Sequence, residues 1–273
     1  MNASTGRLPA YMHGVEASEQ RRLEMQAKLL GGAEFLPPLH AGMRVLEVGC
    51  GTGAVVREVA VKVAPGEVTG LDREEAQVEM ARQLATEQGL RNVHFLRGDA
   101  SALDFPDASF DVAYCRFVLE HVPNPAAVLA EMSRVVKSGG WVCAYEWEAG
   151  CFTSYPEFAA IAQAWQSIYH WQETLGGDPW IGRKLYGLFR QSTLEEVKAE
   201  GRVWTITAQD QEKLKCYVKG AQEIIRQTSH QLIAEHLTTP EDVKQALLDY
   251  EQLVTSSNAF VFHGFCLAVG RKR

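Results

Sequence analysis

Three alternating glycines follow an acidic residue in the segment Arg-Val-Leu-Glu-Val-Gly-Cys-Gly-Thr-Gly at residues 44–53. The apolar start of the segment predicts a buried strand, and residues 54–64 predict a helix. Because glycine has no Cβ, such a loop lets a ligand approach the main chain closely. The pattern therefore indicates a site between a parallel strand and a helix, where open α/β sheets bind nucleotide-like ligands.

Two adenosine-containing cofactors are compatible with this loop. Together with Ala54, its first two glycines fit the dinucleotide fingerprint, in which an acid about 20 residues further on binds the ribose of NAD. Asp72 lies at that distance, at the end of a predicted strand. The third glycine, Gly53, and the acid before the loop, Glu47, favour S-adenosylmethionine instead. That cofactor has no pyrophosphate, the group that a helix N-terminus binds in dinucleotide sites.

Further short motifs follow the loop in a fixed order. Together with the loop they are residues 47–53, 70–72, 98–100, 103–111, 118–121 and 132–140. With these motifs the chain resembles the class I S-adenosylmethionine-dependent methyltransferases. It is most similar to the branch that includes ubiquinone and menaquinone biosynthesis methyltransferases and many small-molecule methyltransferases. The resemblance covers about residues 40–150, with a looser match at the C-terminal strand.

The resemblance implies an enzyme that uses S-adenosylmethionine. It would transfer a methyl group to a nitrogen, oxygen, sulfur or carbon atom of a small molecule by in-line displacement. Two alternatives remain open at this point. One is a nicotinamide-dependent oxidoreductase that shares the loop pattern, and the other is a catalytically silent protein that binds the cofactor without turnover.

The resemblance also implies a set of cofactor-binding residues around the loop. Asp72 would accept hydrogen bonds from two ribose hydroxyls, and Asp99 with the backbone N–H of Ala100 would contact the adenine. The alternative for Asp72 is to cap the following helix. The complete predicted set is Tyr11, Arg22, Glu47, Gly49, Cys50, Gly51, Asp72, Arg73, Asp99, Ala100, Arg116 and Phe117.

The carboxylate of the cofactor requires a cation or backbone donors. Arg116 follows the fourth predicted strand, at the end of the strands where sites gather in such sheets. Arg22, in the N-terminal helix, resembles an arginine of similar enzymes, and Tyr11 resembles an N-terminal tyrosine that covers the cofactor. A solvent-exposed helix arginine is the alternative for Arg22.

Methyl transfer asks for little acid–base chemistry, because the sulfonium is already a strong methyl donor and in-line positioning supplies most of the acceleration. We predict two catalytic residues. His121 is the candidate general base, with an architectural role as its alternative. Glu146, at the end of the fifth predicted strand, is the candidate for binding an amine acceptor. The residues predicted to bind the substrate are Trp147, Trp171, Trp180 and Arg183.

Alternating strand and helix patterns predict an α/β fold with a Rossmann-like, seven-stranded, doubly wound parallel sheet. Helical insertions would form a lid over the site. We divide the chain into an N-terminal lid helix (1–40), a cofactor-binding core (41–150), a helical aromatic lid insertion (151–201), and the end of the sheet with a second helical insertion (202–273). The aromatics of the first insertion would either contact an apolar substrate or pack together as a small core of the lid.

Bulk properties favour a packed enzyme with a small-molecule partner. The chain has 273 residues, 46% hydrophobic content and a formal net charge of −7, which gives no support for nucleic-acid binding. We see no apolar leader and no apolar run long enough for a membrane span, so we predict a cytoplasmic protein. A monomer or a homodimer is expected.

The six cysteines show no Cys-x-x-Cys pair and no metal-type spacing with histidine, so no metal is expected. Most of them are predicted to be buried, reduced thiols. Cys50, Cys115 and Cys151 are the ones that could instead line the active site.

Overall fold

The computed structural model describes Met12, Gly14 and residues 16–273 of the chain. Within this part, seven strands form one sheet. The strands are β1 (Val45–Val48), β2 (Val68–Asp72), β3 (Val93–Arg97), β4 (Phe110–Arg116), β5 (Val136–Tyr155), β6 (Leu194–Thr207) and β7 (Phe260–Lys272). The α-helices are α1 (Ala17–Leu30), α2 (Ala54–Val63), α3 (Glu75–Glu87), α4 (Pro125–Val135), α5 (Ala159–Thr174), α6 (Leu185–Gln191), α7 (Gln211–Ala234) and α8 (Pro240–Thr255). Short 3-10 helices lie at Leu119–His121 and Gly182–Lys184.

The strand order is β3-β2-β1-β4-β5-β7-β6. β1 pairs in parallel with β2 and β4, and Val48 near its end lies opposite Leu71 and Cys115. The loops that follow these three strands therefore meet at one edge of the sheet. The chain order reverses between β1 and β4, which makes this edge the switch point where doubly wound sheets bind ligands.

Side chains of β1 alternate between two cores, one on each face of the sheet. Val45 packs in a buried cluster with apolar residues of α2 and α3. Leu46 packs in a second cluster with residues of α4 and α6. Because every β1 residue is buried, the strand is held on both faces and the loop after it starts from a fixed position.

The helices α5, α7 and α8 form a third core outside the sheet. Trp165 and Tyr250 are both buried in it, and the Trp165 indole N–H donates to the Tyr250 hydroxyl at 2.8 Å. Part of the aromatic content of the insertion therefore packs the lid itself. None of the helices in the described part of the chain is both long and apolar enough to cross a bilayer.

The predicted seven-stranded α/β sheet is confirmed, but the sheet is mixed, because β7 runs antiparallel to both of its neighbours. Its direction follows from the helices that precede it. α7 and α8 pack as a hairpin, in which the Gln222 side chain donates to the Leu247 carbonyl at 3.1 Å. Because the two helices are antiparallel, the chain comes back to the end of the sheet at which β6 finished. β7 therefore starts beside the last residues of β6 and runs antiparallel to it.

Several predicted bounds differ from those of the structure. Within the segment 1–40, assigned to the N-terminal lid helix, the helix α1 ends at Leu30, where Gly31 has a φ of 78°. β5 continues to Tyr155 and β6 begins at Leu194, so the segment borders drawn at residues 150 and 201 fall inside strands. Our division of the chain into four segments stays a prediction.

We expect Gly53→Ala to destabilise the protein more than Gly89→Ala. Both glycines have a left-handed φ, 73° and 69°, so the backbone strain of about 1–2 kcal/mol is common to the two variants. A Cβ at Gly53 would lie 2.5 Å from Phe95, whereas one at Gly89 meets no described atom within 4 Å. Overpacking should add about 1–3 kcal/mol at Gly53. Urea unfolding measures both losses, and equal values would contradict the close packing of the loop.

Candidate functional site

A cavity of about 290 Å³ opens at the edge of the sheet where β1, β2 and β4 end. Nine of the predicted cofactor residues line it: Arg22, Gly49, Gly51, Asp72, Arg73, Asp99, Ala100, Arg116 and Phe117. His121 and Trp147 also line it. The predicted residues that do not are Glu47, Cys50, Glu146, Trp171, Trp180 and Arg183. Tyr11 lies outside the described residues.

The glycine loop is tied to the end of β2 by a carboxylate. The backbone N–H of Gly51 donates to Asp72 Oδ2 at 2.8 Å, and that of Glu74 donates to Oδ1 at 3.0 Å. Burial raises the pKa of Asp72, while these two N–H donors act in the opposite direction. Each carboxylate oxygen can still accept another hydrogen bond. Asp72 therefore fixes the loop and keeps acceptor capacity for a ligand in the cavity.

Asp99 and Ala100 form a turn on the rim of the cavity after β3. Asp99 Oδ1 accepts from the Ser101 N–H at 2.8 Å and from the Ser101 hydroxyl at 2.7 Å. These bonds hold the exposed carboxylate in one orientation. Arg73, which directly follows β2, forms an ion pair with Glu74 at 3.1 Å. The adenine and ribose contacts predicted for this region stay predictions.

Arg116 carries a guanidinium with unused donors. Its side chain is buried, at 8% exposure, and lies over the Phe117 ring at 5.1 Å. Nη1 donates to the Gly31 carbonyl at 2.8 Å, but Nε and Nη2 have no hydrogen-bond partner within the described residues. Burial lowers the pKa of Arg116. A buried cation with free donors is costly on its own, so the site suits an anionic group of a ligand.

Arg22 differs, because its charge is already matched inside the protein. Its Nε and Nη2 donate to the buried Glu19 carboxylate at 2.6 and 2.7 Å, and Nη1 donates to Gln26 at 2.9 Å. Of the two arginines predicted for the cofactor carboxylate, Arg116 is therefore the better suited one.

Glu47 and Cys50 lie behind the glycine loop rather than on the cavity surface. Glu47 is 3% exposed and accepts a hydrogen bond from the Tyr114 hydroxyl at 2.9 Å. Burial raises its pKa to about 8. Burial also raises the pKa of the Cys50 thiol, which packs close to Gly70. In this structure both side chains support the loop from its interior side.

Glu146 anchors the turn after β4. Its side chain is fully buried, and its Oε1 accepts from the backbone N–H groups of Val118 and Leu119, both at 3.0 Å. Burial, followed by the charge of Glu120, raises the pKa of Glu146 to about 8. The carboxyl therefore holds the 3-10 helix in position from below. It does not reach the cavity, so the predicted contact with an amine acceptor is not formed here.

His121 connects the same turn to the lid. Gln172 Nε2 on α5 lies 2.9 Å from the Glu120 carbonyl, an obligate acceptor, and 3.2 Å from His121 Nδ1. Since the amide nitrogen is a donor, His121 Nδ1 acts as acceptor and Nε2 carries the proton of the neutral ring. Burial lowers the pKa of His121, which favours this neutral form.

The lid contributes residues that we did not assign to the site individually, although Trp165 and Tyr169 belong to the insertion aromatics for which substrate contact was one alternative. Trp165, Ile168, Tyr169 and Gln172 line the cavity from α5 at helical spacing, i, i+3, i+4 and i+7. That spacing is a signal that could have identified them. Trp171 points into the lid core instead. Trp180 lies under Arg183 at 5.2 Å, and Arg183 pairs with the buried Glu148. These three predicted substrate residues therefore do not meet the cavity.

The three cysteines singled out from the sequence also lie off the cavity wall. Cys50 and Cys115 are buried, whereas Cys151 is exposed. Among the described residues, no three His, Cys, Asp or Glu side chains cluster as metal ligands would.

Comparison with known proteins identifies the family. Residues 39–197, more than half of the chain, match the model of a family described as "Methyltransferase domain". The chain belongs to this family. Membership confirms the predicted methyltransferase family and supports S-adenosylmethionine, rather than a nicotinamide, as the cofactor.

Relatives and solved structures agree with this membership. The demethylmenaquinone methyltransferase of Listeria monocytogenes is 35% identical over 159 residues, which cover 58% of this chain and 65% of that protein. A sterol 24-C-methyltransferase of Gibberella zeae is 41% identical over 107 residues, which cover 39% of this chain and 28% of that protein. The chain thus matches less than two thirds of the length of these relatives.

The solved structure of the [4+2]-cyclase SpnF has the same fold. It is 23% identical with a TM-score of 0.54, and the match covers 93% of this chain and 81% of that one. The phosphoethanolamine N-methyltransferase 2 of Haemonchus contortus is 16% identical with a TM-score of 0.55, over 92% of this chain and 52% of that one. These likenesses establish the fold.

The residues of the cavity fit S-adenosylmethionine. The left-handed glycines leave the loop without side chains on the cavity side, and Asp72 offers a partly buried carboxylate. Arg116 offers buried donors that have no partner among the described residues. The bare loop suits a ligand that lies against the main chain. The Asp72 carboxylate suits the two hydroxyls of a ribose, and the Arg116 donors suit the carboxylate of the cofactor.

Asp72→Ala should weaken the binding of S-adenosylmethionine by about 1.5–3 kcal/mol, the worth of hydrogen bonds to a charged group. Asp72→Asn keeps one acceptor oxygen and should lose less. Calorimetric titration measures the affinity, and Asp104→Ala, at an exposed carboxylate off the cavity, is the matched control. Unchanged affinity in Asp72→Ala would exclude the ribose contact.

Arg116→Met should weaken S-adenosylmethionine about ten-fold or more, the range for a charge-assisted pair. The binding of 5′-methylthioadenosine, which has no amino acid carboxylate, should change by less than about two-fold. Arg22→Met tests the paired arginine in the same assay and should cost less. If Arg116→Met weakens both ligands equally, Arg116 does not bind the carboxylate.

Proposed function

We propose that the chain transfers the methyl group of S-adenosylmethionine to an apolar small molecule. One observation carries this proposal. One cavity is lined both by the glycine loop, Asp72 and Arg116 and by the aromatic rings of Trp147 and Trp165. A polar end for the cofactor and an aromatic end for the acceptor would bring the two reacting molecules together in one orientation.

S-adenosylmethionine supplies, when bound, a methyl group on a sulfonium that a nucleophile can displace. The chain contributes binding, orientation and the exclusion of water. Asp72 and Arg116 would hold the ribose and the carboxylate through charge-assisted hydrogen bonds. Because each is the last residue of a central strand, both groups are held by the rigid sheet.

The acceptor end of the cavity is aromatic. The Trp147 and Trp165 rings stack with centroids 6.4 Å apart, and Tyr169 stacks on Trp165 at 5.9 Å. Such walls favour an apolar acceptor and keep water from the reacting atoms. The relatives named for sterols and demethylmenaquinone support an apolar acceptor as well.

We assign His121 a positioning role rather than that of a proton acceptor. Its Nδ1 accepts a hydrogen bond from the Gln172 side chain. Its Nε2, which carries the proton, lies 3.7 Å from the Glu120 Oε1 atom. A base is needed only when the acceptor must lose a proton before methyl transfer. The arrangement therefore favours acceptors that are nucleophilic without deprotonation.

A cytoplasmic location belongs to this proposal. It is supported by the buried thiols of Cys50, Cys115 and Cys143, which are typical of reducing compartments. A monomeric or homodimeric state without a nucleic-acid partner likewise stays part of the proposal.

The proposal is tested with methyl-labelled S-adenosylmethionine and four acceptor classes: an aromatic alcohol, an aromatic amine, an aromatic thiol and an isoprenoid alkene. We expect extractable label in at least one class, together with equimolar S-adenosylhomocysteine. Trp165→Leu should lower kcat/KM for that acceptor about ten-fold or more, since it removes a cavity wall. Trp180→Leu, at an indole outside the cavity, is the matched control. Saturable cofactor binding without transfer to any class would contradict the proposal.

A further inference from the structure

A second, smaller cavity of about 70 Å³ adjoins the first one. Trp147 and Trp165 belong to the walls of both cavities. The remaining wall of the second cavity is mostly apolar, with Met25 and Leu29 from α1 and Ala221 from α7. It therefore lies next to the aromatic wall of the first cavity, between α1, α7 and β7.

One polar side chain on the wall of this second cavity stands out. His263 of β7 is 1% exposed and lies among aromatic rings, with centroid distances of 4.4 Å to Trp147, 4.8 Å to Phe152 and 5.2 Å to Tyr217. Within the described residues, neither of its ring nitrogens has a hydrogen-bond partner. A phenylalanine would fill the same space with no polar atoms to satisfy.

The His263 ring is neutral, because burial lowers its pKa to about 3. A neutral imidazole offers one N–H donor and one acceptor nitrogen. Buried polar groups are nearly always hydrogen-bonded in native proteins, and an unsatisfied one points to a water or a ligand group as its partner. The partner of His263 must therefore be able to donate and accept, as a hydroxyl does.

A second unsatisfied group lies on the same wall. The Tyr217 hydroxyl is buried and interacts with the Tyr250 hydroxyl, but within the described residues it has no hydrogen bond of standard geometry. The Tyr250 hydroxyl already accepts from the Trp165 indole. Tyr217 and His263 thus bring two incompletely satisfied polar groups to one small cavity, whose other polar lining residues, Arg22 and Gln26, are hydrogen-bonded to each other.

We propose that this second cavity binds a hydroxyl group at the end of the methyl acceptor remote from the methylated atom, with His263 as its donor and acceptor. The substrate class is then an elongated apolar alcohol or phenol. This inference rests on the proposed function. A volume of about 70 Å³ is roughly twice the share of one water in the liquid, which suits a hydroxyl and the carbon that bears it.

The test uses 1-hexanol and 1-fluorohexane, which match in shape but differ in the hydroxyl. Protein labelled with ¹⁵N-histidine is titrated with each probe, and the ring resonances of His263 are followed. We expect 1-hexanol to shift them saturably and to bind about ten-fold or more tightly than 1-fluorohexane, the worth of one buried hydrogen-bonded group. In His263→Phe the preference should fall to within about two-fold, while His170→Phe, at an exposed histidine, keeps it.

Equal affinities of the two probes in the wild-type protein would overturn the proposal, as would saturation by 1-hexanol with unchanged His263 resonances. If the His263 resonances show no saturable shift up to the solubility limit of 1-hexanol, the proposal is also overturned, and water is the partner of His263 in the cavity. The titration of the wild-type protein tests the proposal even if the His263→Phe variant does not fold. Calorimetry with S-adenosylmethionine on the same samples separates this outcome from a failure of the proposed function, since probe binding does not require the cofactor.

Discussion

The Asp72 carboxylate accepts hydrogen bonds from the backbone N–H groups of Gly51, in the glycine loop, and of Glu74, at the start of α3. The bond from Gly51 ties the loop after β1 to the end of β2, and the bond from Glu74 fixes the orientation of the carboxylate. The parallel register with β4 brings Arg116 to the same edge. Left-handed glycines make this approach possible, because a Cβ at Gly49 would lie 2.3 Å from Val118. The cavity wall around the glycine loop is thus preorganised mainly by the main chain.

The lid is attached to this frame through one turn. Glu146 holds the 3-10 helix after β4 from inside the sheet, and Gln172 holds α5 to the same helix from above. The turn is therefore fixed on both sides, which keeps the aromatic face of α5 over the ends of the strands. Glu146 and Gln172 both hydrogen-bond to this turn, and His121 belongs to the same turn and contacts Gln172.

More of the residues predicted around the glycine loop line the cavity than of those predicted in the lid, for a physical reason. The loop and Asp72 depend on local spacing within one strand–helix unit, which a sequence displays directly. Glu146 and Trp147 were both predicted to meet the substrate, yet neighbours in a strand point to opposite faces, so only Trp147 lines the cavity. His263 comes from a strand far along the chain, and its burial among aromatic rings depends on the direction of β7, which the helix–strand alternation did not indicate.

The central claim is that this site binds S-adenosylmethionine through the glycine loop, Asp72 and Arg116. Parallel calorimetric titration of the wild-type protein with S-adenosylmethionine, S-adenosylhomocysteine and NAD tests it most directly. The account predicts micromolar affinity for the first two ligands, about −8 kcal/mol, and no measurable binding of NAD. Binding of NAD alone would contradict it and would mean that the loop serves a dinucleotide.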